Sequence, residues 1–316
     1  MPTDAVVREL LVRQLDAWLP AARQRARRAT LALAYAGSDD GGADAALRAV
    51  AAYADRLHGF RLTVLVLAQG TEDLPARLGA VEAALPAEVA VHVMPGDPAR
   101  LPVALKAAGA AAAPLLTVAH GAAPVPALLA AARTGRPADL LLVAEPGAPL
   151  RPRLSAAGFP LVAEADLVVG PASDAVVPAP ETHGAPPGGS VLRLAFATGS
   201  DRSLTAFKDA LWVAGEVASA RYRDPADPGG PAVEVSAEPD ADPLGRELLA
   251  ELVRTGPRTL TELRRHTLTE TLYRATDATR AVTALLAAGA VARDPEHGRL
   301  GGDVLIIARP GAGSAA

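Results

Sequence analysis

The chain of 316 residues contains no cysteine. That excludes a disulfide scaffold, a thiolate nucleophile, an iron–sulfur cluster and a Cys-built zinc site. Asparagine is missing, lysine occurs only at Lys106 and Lys208, and isoleucine only at Ile306 and Ile307. Aromatic residues make up 3% of the chain. Core energy must therefore come from many small Ala, Val and Leu burials, each at about 25 cal/mol per Å2 of apolar surface, rather than from large rings. Arg, Ala, Gly and Pro take the vacated places, the mark of a GC-rich, bacterial coding sequence, so Ala and Pro carry less structural information than usual. Long apolar runs are also lacking. The longest, Ala107–Ala119, carries Gly109 and Pro114 and is too short and broken to span a bilayer. Asp4, Arg8 and Glu9 interrupt the start before an export-type apolar region forms. The expectation is a soluble, cytoplasmic protein with no membrane partner. A formal net charge of −4 excludes nonspecific polyanion binding by the whole chain and leaves room for a local basic patch.

What is present suffices for two domains: half of the residues are hydrophobic and 21% are charged. Val6, Val7, Leu10, Leu11, Leu15 and Trp18 recur at helical spacing, predicting an amphipathic helix up to about Leu19 that Pro20 interrupts. Strand-like runs then alternate with helix-like ones. The strands are Thr30–Ala36, Arg61–Ala68, Glu88–Met94, Pro114–Ala119 and Asp139–Ala144, with connections too long for hairpins. This alternation predicts an α/β, doubly wound, parallel sheet covered on both faces. Pro146–Gly189 reads as a partly irregular excursion with one firm segment at Leu161–Val169, either a further strand or a lid. Val191–Ala197 is a further strand and Leu204–Val217 a helix. Residues 224–242, rich in Pro, Gly and Asp, read as an exposed linker closing a first domain over 1–223.

The pattern changes after the linker. Pro243–Arg254 is helical with Asp242 as its N-cap, Thr259–His266 starts from a Thr with Glu262 at capping-box spacing, and Thr276–Ala288 stops at Gly289. Ala290–Arg293 and Val304–Arg309 flank a turn-rich tip. Three helices followed by a two-stranded hairpin is the order of a winged helix-turn-helix, assigned to 243–310 and followed by a flexible tail over 311–316.

Chemistry-bearing positions cluster where parallel strands end, the place where nucleotide-type cofactors bind. Tyr35-Ala36-Gly37-Ser38-Asp39-Asp40-Gly41-Gly42 follows the first strand; it is either a cofactor turn, using Tyr35, Gly37 and Asp39, or a plain turn. Glu72 and Asp73 read as the acidic start of a helix. Asp97 stands where an adenine-contacting acid would lie, or simply caps its Pro-Gly-Asp-Pro turn. His120 offers acid–base chemistry after the fourth strand.

Read together, "VVRELLVRQLDAWLP", "YAGSDDGG", "SLTAFKDALWVAGEVASARYRD" and "HTLTETLYRATDATRAVTALLAAGAV" resemble the three-Cys-motif partner protein family. The resemblance implies a class I methyltransferase-like Rossmann domain, S-adenosylmethionine as its cofactor, and a terminal winged helix. It is strongest in the opening helix and from Val191 onward. Against the family pattern, the acids expected after the first, second and fourth strands are gone. Leu33-Ala34-Tyr35-Ala36-Gly37-Ser38-Asp39, Leu67 or Ala68, and Val118-Ala119-His120-Gly121 stand in their places, and Asp97 alone remains. A ribose left without its carboxylate partners loses about 1–3 kcal/mol per unpaired hydroxyl. The expectation is a catalytically degenerate methyltransferase-like protein acting through its winged helix in DNA binding or regulation. Its rivals are an active methyltransferase and a protein-interaction scaffold, the latter for a three-Cys-motif protein. Between Arg258 and Arg280 five arginines face three acids. Arg280 is the candidate for a base edge; Arg264, Arg265, Arg274, Thr276 and Thr279 complete the candidate duplex-DNA face. The Arg23–Arg28 run is either a further phosphate contact or a solvated surface.

Overall fold

In the structure, a computed structural model, the described residues are 2–37, 41–69, 74–169 and 190–309. Asp39, Glu72, Asp73, most of the 146–189 excursion after residue 169 and the tail over 311–316 lie outside them. The chain divides into two units, Met1–Val235 and Ser236–Ala316.

The first unit is built on a nine-stranded sheet. Its strands are β1 (Arg28–Tyr35), β2 (Arg61–Ala68), β3 (Val89–Pro95), β4 (Leu115–His120), β5 (Ala138–Ala144), β6 (Leu161–Val169), β7 (Ser190–Thr198), β8 (Arg221–Arg223) and β9 (Val233–Glu234). They lie in the order β3-β2-β1-β4-β5-β7-β6-β8-β9. The first five are parallel. β7 is antiparallel to both β5 and β6, so β6 runs in the same direction as β5. This order, with one reversed strand between β5 and β6, is the class I methyltransferase-like Rossmann topology. The central strands read as continuous apolar runs because both of their faces are covered: Leu140, Leu141, Leu142 and Val143 are all buried.

Helices α1 (Pro2–Arg25), α2 (Gly42–Ala51) and α7 (Asp201–Val217) pack together. On the core of the other face lie α4 (Leu101–Ala107), α5 (Pro126–Ala132) and α6 (Arg151–Ala156); α3 (Leu74–Glu82) precedes β3. Phe196 and Phe207 stack with centroids 4.6 Å apart, placing α7 on β7. Inside β6 and β7, Arg193 and Asp166 form a buried bidentate pair with bonds of 2.7 and 2.9 Å.

Two sequence expectations are corrected here. Pro20 does not break the first helix, which runs to Arg25. An internal proline deprives the carbonyl four residues earlier of its donor; the Tyr53 hydroxyl supplies the replacement, donating to the Asp16 carbonyl at 3.1 Å. The stretch read as an exposed linker is also partly structured. Within it, Val233–Glu234 pairs antiparallel with Arg221–Tyr222, extending the sheet by an edge strand.

The second unit holds α8 (Ala241–Thr255), β10 (Arg258–Thr259), α9 (Leu260–Glu270), α10 (Ala275–Ala287), β11 (Val291–Asp294) and β12 (Leu305–Ala308). Its three strands form an antiparallel sheet in the order β10-β12-β11. Asp240 rather than Asp242 caps α8, its carboxylate accepting from the Asp242 backbone N–H at 3.0 Å. Thr259 and Glu262 make the reciprocal capping box. These bonds from the Thr259 backbone N–H and hydroxyl hold the Glu262 carboxyl below its ordinary value. Gly289 ends α10 with φ 69, a left-handed conformation that glycine adopts without strain. Leu244, Leu248, Leu263, Val282 and Ile306 are buried within the unit.

Candidate functional site

The sheet changes direction between β1 and β4, and a ligand of this fold is expected outside the carboxyl ends of the strands at that switch point. Tyr35 ends β1 opposite His120 at the end of β4. Their rings meet edge to face, 6.1 Å between centroids and 63° between planes. The chain stays hydrogen-bonded beyond the strand ends. Ala36 N–H donates to the His120 carbonyl at 2.9 Å, Gln69 N–H to the Gly37 carbonyl at 2.9 Å, and Gly121 N–H to the Val143 carbonyl at 2.8 Å. Among the described residues a cavity of about 20 Å³ lies here, lined by residues that include Asp4, Arg8, Tyr35, Gly42 and His120. That is room for about one water, far below the roughly 300 Å³ of the smallest typical ligand pockets.

The start of α2, where an anion would be favoured by the helix dipole, faces a cation instead. An Arg8 Nη1 lies 3.3 Å from the position that a Cβ on Gly41 would occupy, and Gly41 has φ 88. At the end of β3, Asp97 accepts from Ala99 N–H at 2.9 Å and caps a short 3-10 turn. Arg100 folds back over Gly96 and donates to the Pro95 carbonyl at 3.1 Å. Leu67 and Ala68, at the position of the second-strand acid, are fully buried. Among the described residues, then, the edge brings Tyr35, Gly37 and Asp97 to the same rim of the sheet, and neither β2 nor β4 ends in a carboxylate.

In the second unit, α9 and α10 are linked by Arg264, whose Nε donates to Thr279 Oγ1 at 3.0 Å. Arg265, Thr276 and Thr283 are exposed and Arg280 is partly exposed. Arg274 is differently placed from the rest. It N-caps α10, donates twice to the buried Asp277 carboxylate at 3.0 Å and reaches the Ala237 carbonyl at 3.0 Å. Arg280 also donates to Asp277. One buried carboxylate thus partners two of the five arginines; the sequence signal was the Arg-x-x-Asp spacing at a helix start. At the hairpin tip, Arg293 donates to the carbonyls of Pro295, Gly298 and Arg299 at 2.9, 3.0 and 3.2 Å. Burial pushes the His266 imidazole below its ordinary value, against the pull of Glu251 and Glu270.

A larger cavity, about 270 Å³, lies at the opposite, amino edge of the big sheet, between α1, the start of β5 and the start of α7. No sequence motif announces it, because its walls come from three distant stretches of chain. Among the described residues no group of three or more His, Asp or Glu is placed to hold a metal ion, and no helix is long and apolar enough to cross a membrane. No family model matches the chain, and no curated protein matches it at a significant level.

Proposed function

We propose that this protein is a methyltransferase-like protein that has given up methyl transfer and works as a DNA-contacting regulator through a C-terminal winged helix. Three features support the reading. The order helix–strand–helix–helix–strand–strand with sheet order β10-β12-β11 is that of a winged helix-turn-helix. Beside Tyr35 and His120, at the carboxyl edge of the large sheet, the cavity among the described residues measures about 20 Å³. The opening and closing motifs resemble those of three-Cys-motif partner proteins, which implies the same pairing of domains.

The observation that carries the DNA-contacting half is the cluster of Arg264, Arg265 and Arg280 on consecutive helices, tied together by the Arg264–Thr279 bond. α10 is the recognition helix in this reading: Thr276, Arg280 and Thr283 face a groove, and Arg264 and Arg265 hold phosphates. A mobility-shift titration with a duplex library of randomised centre, repeated at several salt concentrations, tests it. Arg264→Ala and Arg280→Ala should each weaken binding about tenfold, with a smaller salt slope for Arg264→Ala. Absence of any salt-dependent shift, or variants indistinguishable from wild type, defeats it. Calorimetry with S-adenosylmethionine separates the rival of an active methyltransferase: micromolar binding lost in Asp97→Ala would restore it.

One observation favours a second reading, a protein-docking module for a partner such as a three-Cys-motif protein. Over residues 236–316 ten arginines meet eleven acidic residues and no lysine, a weak field for a polyanion. Stoichiometric copurification of one protein, without nucleic acid, would favour it.

A further inference from the structure

We infer that the cavity at the amino edge of the large sheet is a binding site for a small zwitterion, a free α-amino acid with an apolar side chain. The cavity is built by α1 (Gln14, Trp18, Arg25), the first residues of β5 (Asp139) and the first turn of α7 (Ser200, Arg202, Ser203). At about 270 Å³ it holds about nine waters' worth of volume, so its occupant has on the order of ten non-hydrogen atoms. Two kinds of polar group converge on it.

Acceptors form the first group. The Asp139 carboxyl is 1% exposed and takes a hydrogen bond from the Thr198 hydroxyl. Gln14 is also 1% exposed, and its Oε1 has no hydrogen-bond partner among the described residues. Both suit an ammonium group. Donors form the second group. Trp18 is buried, with its Nε1 likewise without a partner among the described residues. Arg25 and Arg202 stand on the wall, exposed and with no ion pair within 4 Å among the described residues. These donors, with the start of the 17-residue helix α7, suit a carboxylate. Ala17, Ala21, Ala22, Pro137 and Ala206 supply apolar wall for a hydrocarbon side chain.

Such a site separates an amino acid from simpler ions by charge. A plain anion would meet the Asp139 and Asp16 carboxylates, and a plain amine would meet Arg25 and Arg202; a zwitterion satisfies both sets. Burial pushes the Asp139 carboxyl up to about 6, while the Thr198 and Ser203 hydroxyls and the Arg25 guanidinium pull it down. An ammonium beside it would favour the charged form, so binding strengthens as pH rises from 5 to 7, with Asp16, Arg25 and Arg202 as the other charges facing the space.

The test titrates the full chain with L-leucine, L-valine and L-phenylalanine. In parallel it uses 4-methylpentanoate and 3-methylbutylamine, which keep the hydrocarbon but lose one charge, and inorganic phosphate. Heat of binding and tryptophan emission are read, the latter in Trp212→Phe, where Trp18 is the one remaining tryptophan. At least one amino acid should bind at or below millimolar concentration and shift Trp18 emission, with both single-charge analogues at least tenfold weaker. Arg202→Ala and Asp139→Asn should each cost about tenfold. Ala206→Phe, which fills the space, keeps the test decisive if Asp139→Asn disturbs folding. No binding of any of the three up to about 10 mM, equal binding of an analogue or of phosphate, or binding unaffected by Arg202→Ala and Ala206→Phe overturns the assignment.

Discussion

The two rims of the same sheet make a contrast. At the carboxyl rim, where this topology ordinarily receives a ligand, backbone bonds carry on past the ends of β1, β2 and β4, and the cavity beside Tyr35 and His120 measures about 20 Å³ among the described residues. At the amino rim, the cavity of about 270 Å³ between α1, β5 and α7 is lined by a buried carboxyl and by polar atoms that lack partners among the described residues. Topology therefore says where a cavity can form, while side chains and loop bonding decide whether it does.

The largest expected effect compares two glycines flanking β4, one at each rim. A Cβ on Gly135 would sit 2.3 Å from Leu115 Cβ and 3.0 Å from two backbone carbonyl oxygens, with nothing flexible to yield. Gly135→Ala should cost at least about 3 kcal/mol in urea unfolding, the upper end of overpacking penalties. Gly121, at the carboxyl rim, has φ 69 and among the described residues would meet Ala36 Cβ at 3.3 Å; Gly121→Ala should cost about 1–2 kcal/mol, the ordinary left-handed penalty. Equal costs would mean that the two rims are equally adaptable.

The next effect is on pH. Asp139 has its carboxyl pushed up to about 6 by burial, from an ordinary 3.8. The folded state therefore holds a proton that the unfolded chain has released. Stability falls as pH rises from about 4 to about 6, and at pH 7 the charged form costs on the order of 3 kcal/mol. Asp139→Asn should flatten that decline and stabilise the protein at pH 7 relative to wild type. An unchanged slope across this window would show that the amino rim is better solvated than its geometry indicates.

The smallest effect concerns the helix that borders both rims. Tyr53→Phe removes the donor to the Asp16 carbonyl and should cost about 1 kcal/mol. In a Pro20→Ala background the cost should shrink, because the substituted residue regains a backbone N–H that can take that carbonyl itself. A double-mutant cycle with no coupling would show that Tyr53 is not the substitute donor.

Much of the fold was legible. Arg61–Ala68 is a strand with the bounds that its apolar run suggests, because a doubly covered strand has no polar face to blur it; Leu161–Val169 is a strand as well, with Glu164 and Asp166 buried on hydrogen-bond partners. The Thr259–Glu262 capping box was visible because it is a local pairing, complete within four residues of chain. Short strands such as Arg221–Arg223 and Val233–Glu234 were not legible, since partners rather than side chains make them strands. The continuation of α1 through Pro20 depends on Tyr53, 33 residues away in sequence from that proline. Of the candidate site, Leu67, Ala68 and His120 could be read in the sequence as non-acidic residues at the ends of β2 and β4. The partnering of Arg274 and Arg280 by Asp277 was written in the spacing but needed the buried geometry to be weighed.

The reversed strand β7 has one more consequence. Each of the first five strands hands the chain on toward its following helix at the carboxyl rim, so helix starts, with their unbonded amides and positive ends, accumulate there. β7 runs the other way, with Thr198 opposite Asp139, and so delivers the start of α7 to the amino rim. The polarity of a single strand thus gives the back of the sheet an electropositive helix end that its first five strands do not provide.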